Sequence, residues 1–169
     1  MKQTFTRAAA AASILCASLA IPAGNAAAQS AKSLVGSWAP VSVTATDPSG
    51  KKSDAFGTNP RGNLVFTADG RYTLIVMRDS LPKFASNSRA KGSADENQAV
   101  VAGSIGHFGK YSVDAKSKIL TFQVDRSTYA NWDGIPQKRP FSISKDELKY
   151  SVPAASTGGT AELVWKRVK

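Results

Sequence analysis

Cysteine is nearly missing from this sequence, which carries Cys16 alone, and so is histidine, present only as His107. Cys16 falls in a segment that reads as a removable leader. The expected mature chain therefore has no disulfide, no thiol nucleophile and no thiolate metal site. With a single imidazole, a tetrahedral zinc site would need three carboxylates, an unusual ligand set, so neither a metal nor a cofactor is expected. Phosphate loops and dinucleotide fingerprints are absent, and Gly103-Ser104-Ile105-Gly106 is one residue short of a nucleophile elbow. Acidic residues are sparse as well: 12 Asp and Glu against 22 Lys and Arg give a formal charge of +10. A basic balance can serve nucleic acid, anionic membrane or an acidic ligand. Here no run of basic residues exceeds two, and no aromatic platform alternates with them, so nucleic acid is not an expected partner.

The N-terminus reads as an address. Lys2 and Arg7 make a basic start, Ala8 to Ile21 is apolar but short, and Pro22, Gly24 and Asn25 break it. Ala26-Ala27-Ala28 then supplies the small residues of a cleavage site before Gln29. Leu15 precedes Cys16 where lipid attachment needs a small residue. The expectation is a signal peptide over 1–28, export to the periplasm or beyond, and one domain over 29–169. A domain of about 140 residues buries most of its apolar side chains. No later stretch approaches the roughly 18 apolar residues of a spanning helix.

What is present after residue 33 is a rhythm of short runs rich in Val, Ile, Phe, Tyr and Trp, divided by Gly, Pro, Asp or charged turns. Such spacing indicates an all-β sandwich or barrel. Leu34 to Ala45 reads as a first strand, with Trp38 on the face of Leu34 and Gly36, and Val35, Val41 and Val43 on the other. Pro40 cannot donate a ladder hydrogen bond and implies an edge, a bulge or a bend. A polar stretch, Thr46 to Arg61, follows. Leu64 to Thr67 and Arg71 to Arg78 make a hairpin through Ala68-Asp69-Gly70. Tyr72, Leu74 and Val76 share one face of its second arm and Thr73, Ile75 and Met77 the other; both are substantially apolar, which predicts that one packs on an added element or a ligand. Asp79 to Gln98 is polar and irregular, then Ala94 to Ile105 reads as a short helix behind a Ser93-to-Glu96 capping box. An insertion of this kind is expected to be a lid or binding loop. Strands resume at His107 to Val113, Ile119 to Arg126, Gln137 to Ser144, Leu148 to Val152 and Ala161 to Val168. About eight antiparallel strands can close into a barrel that holds one small ligand.

Several segments resemble the bacterial lipocalin-like domain family. They are Leu34-Val35-Gly36-Ser37-Trp38, Gly62 to Arg71, Pro82-Lys83-Phe84-Ala85, Phe108 to Asp114, and Ala161 to Val168. The resemblance implies a calycin-type up-and-down antiparallel barrel with one short helix in an inserted loop. It further implies that Trp38 plugs the closed end and that Arg167 packs across its ring, a contact that cation–π attraction also favours. Pro40 departs from the family's usual apolar residue.

Candidate site residues follow. Tyr72, Leu74, Phe84, His107, Tyr111, Phe122, Trp132 and Phe141 are the expected ligand-lining side chains. Arg78 and Lys83 are the expected basic residues at the mouth. For acid–base chemistry the candidates are His107, Asp133 beside Trp132, and Tyr111; the remaining charges, Arg139 among them, read as solvated surface. The leading expectation is an exported protein that binds a small apolar or amphiphilic molecule without transforming it. Its rivals are a structural or envelope-stress interaction module with a filled barrel, and a cyclase or isomerase working in the barrel cavity.

Overall fold

Residues 31–169 are described by a computed structural model, and the expected leader over 1–28 lies outside the described residues. A short helix α1 (Ala31–Leu34) leads into β1 (Gly36–Thr46), β2 (Lys52–Asp54), β3 (Arg61–Phe66) and β4 (Arg71–Met77). Helix α2 (Ala94–Gly103) precedes β5 (Ser104–Asp114), β6 (Ile119–Ser127), β7 (Pro136–Ser144), β8 (Glu147–Val152) and β9 (Thr160–Arg167). Each strand pairs antiparallel with its neighbour in the order β1-β3-β4-β5-β6-β7-β8-β9, and β9 returns to β1. Eight strands thus close an up-and-down barrel, while β2 adds a short ninth strand to the far end of β1. No helix among the described residues is long and apolar enough to cross a membrane.

The period of two explains the wall. On β4, Tyr72, Leu74 and Val76 are buried while Arg71, Thr73 and Ile75 are exposed, and β6 buries Leu120, Phe122 and Val124 in the same way. The outer face of β4 is not covered: Ile75 and, beside it on β5, Phe108 remain substantially exposed. The hairpin turn closes as Asp69-Gly70 predicts, with Gly70 at φ +83°.

Two bulges set which residues point inward. In the β1–β9 pairing the register jumps from Pro40 to Ser42, so Val41 is the extra residue and stands half exposed. Beyond the bulge the inward face is Val43, 3% exposed. Strict alternation had put Val43 on the face opposite Trp38; the bulge beside Pro40 brings it onto the same one. In the β5–β6 pairing Asp125 is the extra residue, opposite the Phe108–Gly109 step. It returns Ser127 to the inward face opposite His107.

Other departures are local. Leu34 ends α1 instead of opening the first strand, and β2 forms inside the polar stretch. Helix α2 starts as predicted. The Ser93 hydroxyl accepts from the Glu96 N–H at 3.2 Å and Glu96 accepts from the Ser93 N–H at 2.8 Å. It stops at Gly103 because Ser104 already pairs with Met77.

Antiparallel connections alternate between the two ends of the barrel. The tight turns at 67–70, 115–118 and 145–146 lie at one end with α1. The longer connections, 47–60, 78–103, 128–135 and 153–159, gather at the other. One end is therefore closed by short turns and a plug, and the other is framed by loops.

Candidate functional site

At the closed end Trp38 is fully buried, and its indole N–H donates to the Leu34 carbonyl at 2.8 Å. The Arg167 guanidinium sits over its ring, with Cζ 4.1 Å from the centroid. Its Nη1 and Nη2 donate to the Val35 and Ser33 carbonyls at 2.8 and 2.6 Å, satisfying backbone acceptors at the end of α1. Gly36 is required beneath it. Its φ is +127°, and a Cβ there would stand 3.0 Å from Arg167 Nη1.

Above this plug the interior is crossed by rings. Phe66 meets Tyr111 edge-on at 4.8 Å and stacks on Phe122 at 5.9 Å. Phe122 also contacts Tyr72 at 4.6 Å and Tyr150 at 5.7 Å, and Tyr150 stacks on Trp165 at 6.4 Å. Leu74 and Phe141 complete the same buried cluster. Trp38, Leu34, Phe66, Leu120, Leu148 and Trp165 are fully buried and fill the half nearer the plug.

The polar groups of the open half gather around His107. Its Nδ1 shares a hydrogen bond of 2.7 Å with the Tyr72 hydroxyl. Trp132 packs edge-on against the imidazole at 5.7 Å, and Tyr129 supports Trp132 at 5.5 Å. Burial, with the nearby Arg139 guanidinium adding to it, lowers the His107 pKa from 6.5 to about 4, so the ring is neutral at pH 7. Burial likewise pushes the Tyr72 and Tyr150 phenols up, keeping both protonated.

The sequence reading of Arg139 as solvated surface charge does not hold in the structure. The side chain lies inside the barrel at 8% exposure, on the same face of β7 as Phe141. The signal was available in the alternation of Gln137, Arg139, Phe141 and Ile143. It was masked because arginine is seldom buried.

The other candidates lie apart from this group. The Asp133 carboxylate accepts from the Ser127 N–H at 2.8 Å and from Arg126 Nη1 at 3.3 Å, which ties the 127–133 turn together. Tyr111 is in the lower interior, and its hydroxyl donates to the Thr67 carbonyl at 3.0 Å. Phe84 packs on the 78–103 connection, where a Cβ at Gly92 would meet its ring at 2.6 Å. With Lys83, Asn87, Ser88 and Arg89 it lines a surface cleft of about 380 Å³, outside the barrel interior. Arg78 lies against Gly103 on the same connection.

A neutral buried histidine makes stability depend on pH. The unfolded ring titrates near 6.5 and the folded one at about 4, so between these values the unfolded chain binds more protons. Stability is therefore expected to fall as pH drops from about 6.5 to about 4, by up to about 3 kcal/mol. Chemical denaturation at stepped pH tests this, with His107→Gln, which keeps an acceptor for Tyr72, giving a flatter profile. Parallel profiles for the two proteins would show that His107 is not buried as described.

A family model described as a lipocalin-like domain matches residues 35–168. No curated protein matches the chain. A solved structure of a redesigned beta barrel is 14% identical, with 85% of this chain and 98% of that one covered and a TM-score of 0.44.

Proposed function

We propose that this chain, which belongs to the lipocalin-like domain family, is an exported carrier for a small apolar or amphiphilic molecule and leaves it unchanged. The observation that carries the reading is the asymmetry of the barrel. One end is sealed by Trp38 and Arg167. The other is bordered by the longer connections and holds His107, Trp132 and Tyr129 around the upper end of the ring ladder. Export rests on the leader features of residues 1–28.

Tyr72, Leu74, His107, Phe122, Trp132 and Phe141 are the side chains the guest would meet. Tyr111 borders the lower interior, and Phe84 would take part only from the rim. A guest that buries about 300 Å² of apolar surface gains roughly 7 kcal/mol before ordering costs, which supports micromolar binding or weaker. A panel of fatty acids, isoprenoids and aromatic acids is expected to raise the melting temperature or shift tryptophan fluorescence for at least one class. A panel with no effect on either would defeat the carrier reading.

One observation favours a second reading. The contacts from Phe66 through Phe122 to Tyr150 and Trp165 run across the interior, as in a barrel filled by its own side chains. A structural or envelope interaction module would follow if no guest is found. The cyclase or isomerase reading would need His107, Asp133 or Tyr111 for acid–base work; an imidazole with a pKa of about 4 is a poor base at pH 7, and Asp133 and Tyr111 are engaged elsewhere.

A further inference from the structure

Arg139 is the only buried charged side chain among the described residues, and no carboxylate is among its partners. Its Nη1 donates to the Lys138 carbonyl at 3.2 Å and its Nη2 to Gln137 Oε1, both neutral acceptors. Carboxylates are instead engaged outside the wall: Asp79 with Arg61, Asp125 with Arg71, Asp133 with Arg126, Glu162 with Lys149, and Asp146 with Arg167 and Lys169. A guanidinium taken out of water is stabilised by an anion in bidentate contact far better than by amide oxygens.

The neighbouring groups point the same way. Tyr72 and Tyr150 are close enough for Arg139 to feel their phenols, and both phenols stay protonated. The buried Trp165 indole N–H lies beside the Tyr150 hydroxyl. Gln137 Oε1 is committed to Arg139, and His107 Nδ1 and the Tyr72 hydroxyl are committed to each other. The interior around Arg139 therefore holds a cation with neutral partners and no carboxylate.

We propose that Arg139 receives the carboxylate of an acidic amphiphile, with the acid head inside the barrel and the apolar chain directed past Trp132 toward the mouth. The head cannot sit deeper, because the rings of Phe122, Tyr150 and Trp165 occupy that space. Gln137 then acts as a stand-in acceptor that yields the guanidinium when the acid enters. Arg139 replaces Arg78 and Lys83 as the source of acid preference. The proposal rests on the carrier reading and narrows it to one class of guest.

The test compares dodecanoate with 1-dodecanol, both below their aggregation limits, against the wild type and Arg139→Met. Dodecanoate is expected to bind the wild type at least about tenfold more tightly than the alcohol. In Arg139→Met the two should bind equally, with alcohol affinity close to that of the wild type. Equal binding to the wild type, or a preference that survives in the variant, overturns the role of Arg139 while leaving the carrier reading intact. If neither compound binds the wild type, this inference falls, and the carrier reading is decided by the isoprenoids and aromatic acids of the wider panel. A second measurement needs no variant: the carboxyl carbon of [1-13C]dodecanoate is followed by NMR as the pH is lowered. Bound dodecanoate should stay ionised to a lower pH than free dodecanoate, and a bound acid that titrates at or above its free value contradicts the proposal.

Discussion

Trp38→Ala is expected to destabilise the protein by about 3–5 kcal/mol, in the range for aromatic truncations in cores. The side chain is fully buried, so the change leaves a void where the barrel closes. It also removes the hydrogen bond to the Leu34 carbonyl and the surface on which the Arg167 guanidinium lies. Arg167 would keep its bonds to Ser33 and Val35 only by bridging that void. Urea unfolding followed by far-UV circular dichroism measures the loss. A variant that unfolds at the wild-type midpoint with the same slope would show that Trp38 plugs nothing.

Gly109→Ala is expected to cost about 3 kcal/mol or more, although it adds a single methyl group. Gly109 has φ +159°, and a Cβ there would lie 2.0 Å from the Gln123 carbonyl oxygen and 2.7 Å from the Asp125 nitrogen. Both are backbone atoms of β6 and cannot swing away. The strands would have to separate at the bulge that returns Ser127 to the face of His107. Gly134→Ala is the control. Its φ is +74°, but nothing lies within 4 Å of a Cβ there, so about 1 kcal/mol of backbone strain is expected. Equal melting temperatures for the two variants would remove the close approach from the explanation.

The barrel was legible because its strands alternate cleanly. Tyr72, Leu74 and Val76 on β4 and Leu120, Phe122 and Val124 on β6 announce an inward face by period alone. The capping box fixed the start of α2 for the same local reason. Where alternation was interrupted, the reading slipped by one residue. Pro40 signalled an irregularity, yet which residue bulged depends on how β9 pairs, a long-range fact that left Val43 on the wrong face. The β6 bulge at Asp125 carries no proline or glycine of its own, and its partner Gly109 gives the only hint. The polar side of the candidate site was the least legible. His107 was singled out as the lone histidine, but its tie to Tyr72 spans 35 residues and follows from strand order. For Arg139, composition argues for exposure and only the β7 face argues against it.

The central claim, a guest held in the open half above a sealed end, is tested most directly through the three tryptophans, which sit at different heights. Trp38 is at the plug, Trp165 beside Tyr150 in the ring ladder, and Trp132 at the mouth against His107. Their indole N–H signals can be followed by 15N NMR as dodecanoate is added. The predicted result is a progressive, saturable shift of Trp132 and Trp165 with Trp38 unmoved. Three signals that all stay in place through the titration, or a shift confined to Trp38, would contradict it.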